Sequence, residues 1–488
     1  MLRKLLASVA VALALSACAT NPVTGQKNVV LSSTQSEKNN AQRIHEEIRK
    51  VYGLYEDQSV QDYVSSVGQR VALNSDLPDW EFKFFVLDDE SINAFTTGGG
   101  YVYIHRGLLT YLNTEAELAA VLGHEIGHVT ARHPQRQQTR GVMTSILATA
   151  AAVMTGSNAV ADIANVAGTA AIQGYGRANE MEADRLGLKY ATKTGYRPEA
   201  MGDVFKVFKQ QEAFELNRAR AEGRDPNIYH GIFSSHPAPD DRSVQAAKQS
   251  AQIASAPPGG WIDNRDIYLK AIDGIPYGTS RAQGIVRDNR FYHADMGITL
   301  AFPKGWTVQN ERDRILAFTP SKDTLMQVTA EKRPEKQSPR EFLIGKLKGA
   351  SLAGGEAISS NGMEGYAILT RSGSPIDNGA GPVRWIALYR EQSVYLFAGA
   401  SRSANGSTPE ADRLFLSVAE TLRGLKPSEY PLAEPYRIKI VKADEKLRLD
   451  DYARNVPVEK YQKEELELIN GIYPSDKPPP GSLVKVVE

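Results

Sequence analysis

The chain has 488 residues, with 57 Lys or Arg against 57 Asp or Glu, so its formal net charge is zero. That balance gives no reason to expect an anionic surface as a partner, and we expect no nucleic-acid binding. The single cysteine, Cys18, excludes an internal disulfide. A chain of this length is expected to contain roughly two to four domains.

The first twenty residues, "MLRKLLASVAVALALSACAT", are typical of a signal peptide followed by a lipid-attachment site. Two basic residues precede an apolar run from Leu5 to Leu15 that is too short to span a bilayer. The "LSAC" that ends at Cys18 resembles a bacterial lipobox, although "ACA" also fits the cleavage site of a plainly secreted protein. We favour lipidation at Cys18, because this unpaired thiol otherwise has no role. Ala19 suggests the outer membrane by resemblance to Gram-negative lipoproteins, and residues 18 to 37 are expected to form a linker.

The first motif with clear chemistry is "VLGHEIGHVTARH", residues 121 to 133. A helix is expected here, because Thr114 and Glu117 fit a capping box before it and Pro134 ends the pattern. In a continuous helix His133 lies nine residues after His124 and points to the opposite side, so it is not expected to share a metal.

Within this helix His124 and His128 share one face, roughly 6 Å apart along the axis. Glu125 lies one step round from the pair, where it can reach a metal-bound water as a general base. This is the HExxH arrangement, two zinc ligands and a base. A catalytic zinc site usually has a third protein ligand. The metzincin pattern does not supply it, because Ala131 and Pro134 stand where Gly and His are required.

The best candidate for the third ligand lies in "RANEMEADRLGLKYA", residues 177 to 191, a second helical stretch. Glu180 has Asp184 one turn further on the same face, where a carboxylate can accept a hydrogen bond from a ligating histidine. Glu182 faces about 200° away. We therefore expect Glu180 to bind the metal and Asp184 to support a ligand. The alternative is an ordinary solvated face of a charged helix.

HExxH followed some fifty residues later by "EMEAD" resembles the gluzincin metallopeptidases related to the CAAX prenyl protease and HtpX, especially their periplasmic lipoprotein branch. "NAFTTGGGYVYIHRGLL", residues 93 to 109, is similar to the family's edge strand and turn before the active-site helix. The resemblance covers roughly residues 38 to 245. It implies a mostly helical zinc endopeptidase domain, residues 38 to 253, with one Zn²⁺ and an edge strand that pairs with an extended substrate.

"SSHPAPDDR", residues 234 to 242, resembles the HPxxxxR element of that family. The resemblance implies that His236 and Arg242 are catalytic, as donors to the oxygen that becomes negative during hydrolysis. His236 could also hold the enzyme latent. The alternative is a loop histidine beside a helix cap at Asp240, with Arg242 solvated.

Between the two metal-binding stretches, residues 141 to 161 carry no charge. Because "GSN" interrupts this run, we interpret it as two short Ala-rich helices rather than a membrane span.

The remainder of the chain is expected to form two further parts after a Pro/Gly-rich linker, residues 254 to 288. Residues 289 to 428 alternate in short strands and predict an accessory α+β domain with an antiparallel sheet. The "FPKGW" turn in it resembles PsbP-type domains and specifies no chemistry. Residues 434 to 488 read strand, helix, helix, strand and resemble a LysM-like module. LysM modules commonly bind peptidoglycan, but the usual Gly-Asp-Thr turn is absent, so a structural cap is an equal alternative.

The sequence therefore predicts a multidomain α+β protein that is a periplasmic, lipid-anchored zinc endopeptidase. Its expected substrates are polypeptides, by resemblance unfolded or misassembled envelope proteins in quality control. The alternative is an envelope assembly factor or a cell-wall-binding scaffold with a mainly structural metal site. The presence of Glu125 argues against that alternative, because a structural site needs no base.

Overall fold

The computed structural model describes residues 18–20, 27–29, 34–137, 175–226, 239–253, 255–376, 379, 381–402, 409–444, 448–458, 460–474 and 477–488. The chain forms two compact units. The first combines Met1–Tyr277 with Tyr436–Glu488, and the second is Gly278–Pro435. The expectation of a mixed α/β, multidomain chain is confirmed.

Helices dominate the first unit. In chain order they are α1 (Thr34–Val51), α2 (Gln58–Leu73), α3 (Arg106–Tyr111), α4 (Glu115–Thr130), α5 (Arg177–Lys193), α6 (Ala200–Glu222), α7 (Pro239–Ser250), α8 (Arg265–Ala271) and, near the C-terminus, α11 (Leu449–Ala453) and α12 (Gln462–Ile469). Cys18 lies in a short antiparallel pair formed by β1 (Cys18–Thr20) and β2 (Lys27–Val29).

A three-stranded sheet precedes the helix that carries HExxH. It contains β3 (Lys83–Leu87), β4 (Ala94–Gly98) and β5 (Tyr101–His105) in the order β3-β5-β4. The β3–β5 pair is parallel and the β4–β5 pair is antiparallel, so β4 is an outer strand. The turn between β4 and β5 requires glycine, because Gly98, Gly99 and Gly100 all adopt positive φ angles.

The core of this unit includes the C-terminal segment. Buried apolar side chains of α2, the sheet, α4 and α6 form one cluster that also contains Ile438, Leu466, Ile469 and Val487. The segment has the expected order of strand, helix, helix, strand: β18 (Tyr436–Lys442), α11, α12 and β19 (Leu483–Val487). β18 pairs with β19 and with β6 (Pro276–Tyr277), both antiparallel. Residues 436–488 therefore share a core with the HExxH helix, and their LysM-like character stays a prediction.

The second unit is built on antiparallel strands. Its large sheet has the order β10-β11-β12-β16-β15-β14-β13, and a smaller one has the order β17-β9-β8-β7. The strands are β7 (Ile285–Arg287), β8 (Arg290–His293), β9 (Ile298–Ala301), β10 (Thr307–Asn310), β11 (Ile315–Phe318), β12 (Thr324–Lys332), β13 (Leu352–Ser360), β14 (Met363–Thr370), β15 (Val383–Arg390), β16 (Ser393–Ser401) and β17 (Arg423–Gly424). Two helices, α9 (Pro339–Lys346) and α10 (Pro409–Glu420), and a 3₁₀ helix (Pro427–Ala433) complete it.

In the part of the chain that the structure describes, every helix is too short or too polar to cross a bilayer. The uncharged segment 141 to 161, interpreted above as two Ala-rich helices, lies outside the described residues.

Candidate metal centre

The helix α4 is buried along its whole length. At its start, the hydroxyl of Thr114 accepts a hydrogen bond from the amide of Glu117 at 3.1 Å. The carboxylate of Glu117 accepts from the amide of Asn113 at 2.6 Å, one residue before the position that a capping box requires. The predicted cap is thus present with its second bond shifted by one residue. It secures the end of the helix that leads to His124.

Two helices approach closely at the centre because glycines face each other. A Cβ atom on Gly187 of α5 would lie 2.7 Å from the amide nitrogen of His124, and one on Gly123 would lie 3.0 Å from the carbonyl oxygen of Gly187. No larger side chain fits either position without moving backbone. This close approach brings Glu180 and Asp184 of α5 to the histidines of α4.

The structure brings together the three side chains that the sequence predicts as ligands. One ligand atom each of His124, His128 and Glu180 lies within 4.8 Å of the other two, and all three residues are buried. The two Nε2 atoms are 3.0 Å apart. The carboxylate of Glu180 lies 3.5 Å from Nε2 of His124 and 3.3 Å from Nε2 of His128. Two imidazoles and one carboxylate therefore converge on one point.

On the far side of its ring, His124 meets the carboxylate predicted to support it. Its Nδ1 lies 2.9 Å from Oδ1 of Asp184. The guanidinium of Arg242 donates two hydrogen bonds to Asp184, both 2.7 Å long, and also lies 2.9 Å from Oε2 of Glu180. Arg242 is buried, so the alternative that it is a solvated residue is wrong. His236 lies outside the described residues.

The far side of the His128 ring meets His133, which helical spacing predicts on the opposite side of α4. The Nδ1 atoms of His128 and His133 lie 2.8 Å apart, and Nε2 of His133 lies 3.1 Å from Oε2 of Glu182. Arg136 donates to the same oxygen of Glu182 at 3.2 Å. Placing His133 opposite the site was wrong, because α4 ends at Thr130 and the helical spacing no longer applies.

Between α4 and His133 the chain turns. Arg132 adopts a φ of 57°, in the left-handed region, and so ends the helix before His133 and Pro134. A sharp break of this kind is the signal that helical periodicity should not be extended past residue 130. Nothing in the composition of "TARHP" shows where the ring of His133 would then lie.

One aromatic ring connects the centre to the outer strand. Tyr175, just before α5, stacks on His128 with ring centroids 4.0 Å apart and an interplanar angle of 22°. Its hydroxyl lies 3.5 Å from the carbonyl oxygen of Thr96 in β4. Burial raises the pKa of Tyr175 well above its usual value, so it stays neutral. No sequence motif contains Tyr175, so the sequence did not predict its role.

Charge is concentrated in this small volume. Burial disfavours protonation of His124, but the carboxylates of Asp184 and Glu180 outweigh it and raise its pKa to about 10. Burial lowers the pKa of His128 well below its usual value. Among the described residues, three buried carboxylates, those of Glu125, Glu180 and Asp184, share one buried guanidinium, that of Arg242. When both histidines are neutral, as binding a metal requires, the group carries an excess negative charge that a divalent cation would balance.

A buried HExxH helix whose two histidines meet a glutamate from a second helix defines the class of gluzincin zinc metallopeptidases. The model of Peptidase family M48 matches residues 58–250. Over these residues the chain is therefore similar to the metallopeptidases of this family.

Several curated proteins are similar to this chain. The beta-barrel assembly-enhancing protease of Escherichia coli (strain K12) is 31% identical over 209 residues, 41% of each chain. The putative beta-barrel assembly-enhancing protease of Vibrio cholerae is 32% identical over 251 residues, 49% of this chain and 46% of that one. The mitochondrial metalloendopeptidase OMA1 of Arabidopsis thaliana is 28% identical over 154 residues, 31% of each. The chain thus spans less than half the length of these curated relatives.

Among solved structures, the cyanobacterial PsbP of Synechocystis aligns with 29% of this chain and 95% of its own, at 15% identity. Its TM-score is 0.23, which is too low to carry an argument, so the PsbP-like resemblance of the second unit stays a prediction.

Proposed function

We propose that this protein is a zinc-dependent endopeptidase of the bacterial envelope that cleaves unfolded or misassembled envelope proteins in quality control. The observation that carries the catalytic part is the meeting of His124, His128 and Glu180. Glu125 is buried on the same turn of α4. Support for the location and the substrate class comes from the relatives named for β-barrel assembly.

The residues present fit zinc. Two neutral imidazoles and one carboxylate are the donor set of zinc in many metallopeptidases, and three protein donors leave a position open for chemistry. His124, His128 and Glu180 would hold the ion, and the excess negative charge around them favours a divalent cation. When bound, zinc polarises the scissile carbonyl and lowers the pKa of a water toward about 7.

The chain's own residues then handle protons and position the ligands. Glu125 takes a proton from the attacking water and passes it to the leaving amine. Asp184 holds His124 through Nδ1, and Arg242 holds both Asp184 and Glu180.

We propose that His236 adds a donor to the developing negative oxygen, or keeps the enzyme latent. His236→Ala should keep zinc yet change turnover by roughly a hundredfold or more in either direction.

The outer strand β4 is the proposed docking edge for substrate. A peptide in extended conformation can pair with such an edge through main-chain hydrogen bonds, which are independent of its side chains. Tyr175 supports this placement, because it contacts both His128 and the carbonyl of Thr96 in β4. A peptide along β4 would therefore pass beside the proposed ligands.

The decisive experiment compares the wild type with Glu125→Gln on an unfolded outer-membrane β-barrel protein. We expect Glu125→Gln to bind zinc at wild-type stoichiometry and to lose roughly a hundredfold to ten-thousandfold of its turnover. Glu47→Gln, whose side chain is 65% exposed on α1, is the matched control and should cleave normally. Equal cleavage by wild type and Glu125→Gln would contradict the mechanism.

Localisation to the outer membrane by a lipid on Cys18 is a separate proposal that depends on the lipobox-like "LSAC". Cys18→Ser should release the protein from membranes, and labelled palmitate should be incorporated by the wild type alone. A wild type without label would contradict it.

Contact of residues 434 to 488 with peptidoglycan is proposed from the LysM-like resemblance, and binding of purified sacculi by the full chain tests it.

A further inference from the structure

The two histidines proposed as ligands differ in what holds the nitrogen that faces away from the metal position. For His124 it is a carboxylate, Asp184, at 2.9 Å. For His128 it is a second imidazole, that of His133, at 2.8 Å. His133 is fully buried and in turn meets Glu182, which also pairs with Arg136.

The protons in this chain of contacts can be placed in only one consistent way. For Nε2 of His128 to offer its lone pair to a metal, the proton of the neutral ring must reside on Nδ1. That N–H then donates to Nδ1 of His133, which must be the accepting nitrogen. The proton of His133 consequently resides on Nε2, where it donates to the carboxylate of Glu182 at 3.1 Å. Every donor meets an acceptor, and the chain ends on an ion pair.

We propose that His133, held by Glu182, is the positioning residue of His128: it fixes the ring orientation and the tautomer that leave Nε2 of His128 open to the metal. This inference rests on the proposed zinc site and adds a role for a residue outside HExxH. Outer partners of this kind typically change metal affinity by roughly tenfold to a hundredfold when removed.

A buried histidine elsewhere in the same unit shows what a merely structural role involves. His45 of α1 is also buried, and its Nδ1 lies 3.0 Å from the hydroxyl of Tyr103. It packs against Phe85 and Tyr101. It contacts none of the proposed ligands in the described structure. His45→Phe is therefore the matched control for His133→Phe.

The test measures zinc affinity alone, by competition with a chromophoric chelator, on the full-length variants. His133→Phe removes the acceptor while filling the space, and we expect it to bind zinc roughly tenfold to a hundredfold more weakly. His133→Asn can keep an acceptor near the position of Nδ1, so we expect its affinity to stay within about threefold of wild type. His45→Phe should leave zinc affinity unchanged, even if the unfolding temperature of the metal-free protein falls.

Zinc affinity of His133→Phe within about twofold of wild type would overturn the proposal. So would an Asn variant as weak as the Phe variant, because the acceptor would then not matter. If His133→Phe does not fold, Glu182→Leu replaces it, with an expected loss of at least threefold and the same twofold limit for rejection.

The same measurements separate this inference from the proposed function. A wild type that does not bind zinc would overturn both. A wild type that binds zinc, with a weakened His133→Phe but full cleavage by Glu125→Gln, would reject the peptidase mechanism and leave the role of His133 intact.

Discussion

The two units of the chain treat buried polar groups in different ways. In the second unit the buried polar side chains are mostly hydroxyls, such as Thr299, Thr324 and Ser401, with Arg384 as its buried charge among the described residues. In the first unit many of the buried polar side chains are ionisable, and several of these lie on α4 and α5. Within the described structure, the three residues that could hold a metal, His124, His128 and Glu180, also lie on these two helices.

The two kinds of buried polar group differ in what they cost the folded state. A buried charge without a partner costs several kcal/mol, whereas a buried hydroxyl needs only one hydrogen bond. In the first unit the buried charges have partners, as Arg242 has Asp184 and Glu180 at the proposed metal site and Arg106 has Asp88 elsewhere. The second unit has the composition of an ordinary antiparallel sheet domain. The following changes test this contrast, beginning with the largest expected effect.

Replacing Glu180 by Gln should nearly abolish zinc binding. The change removes a ligand and leaves Arg242 without one of its two carboxylates. We therefore expect zinc affinity to fall by more than the roughly hundredfold that an outer partner can cost. Zinc stoichiometry after dialysis against a weak chelator measures it, with Glu47→Gln as the control. Wild-type stoichiometry in Glu180→Gln would remove Glu180 from the ligand set.

Adding one methyl group between α4 and α5 should destabilise the first unit. Gly187→Ala places a Cβ 2.7 Å from the amide nitrogen of His124, and backbone must move to admit it. We expect a loss of about 3 kcal/mol in the free energy of unfolding, together with weaker zinc binding. Gly202→Ala in α6 is the matched control, because its Cβ would meet no atom within 4 Å. Equal stability of the two variants would show that the helices are not closely packed.

Lys485 tests whether the C-terminal segment belongs to the first unit. Its Nζ atom is fully buried and donates to the carbonyl oxygens of Thr110 and Leu112 at 2.8 and 2.7 Å, just before α4. Burial holds the pKa of Lys485 well below its usual value. Lys485→Met leaves both carbonyls without this donor, at a cost of about 2 kcal/mol in urea unfolding of the metal-free protein.

The control for this change is Lys439→Met on the neighbouring strand β18, where the lysine is exposed and its ion pair is worth little. If Lys485→Met were as stable as Lys439→Met, the hydrogen bonds of Lys485 would contribute nothing to the stability of the first unit.

The smallest effect is expected in the second unit. Arg384 donates two hydrogen bonds to Asp412, at 2.6 and 2.7 Å, and the Asp412 side chain is 24% exposed. Because water screens this pair, Arg384→Met should cost only about 1 kcal/mol. Zinc affinity should not change. Arg314→Met, at an exposed pair with Glu311, should cost still less. A change in zinc affinity in Arg384→Met would break the contrast between the two units.

Much of the candidate site could be predicted from the sequence, because it depends on spacing within a helix. His124 and His128 are four residues apart on α4, and Glu180 and Asp184 are four apart on α5. The rise and twist of a helix are set locally, so each pair must share a face. The capping residues before α4 are local in the same sense, and the structure shifts only one bond of the cap.

Only the tertiary structure showed that His133 and Glu182 support His128. Helical spacing placed His133 away from the site, but Arg132 breaks the helix, and His133 folds back onto His128. Glu182 was expected to face away from the site, yet it meets His133 from a second helix. Lys485 reaches the start of α4 across more than 370 residues of chain. Such contacts depend on how the packed helices and strands meet in space. The periodicity of residues along the chain does not predict which distant residues come together.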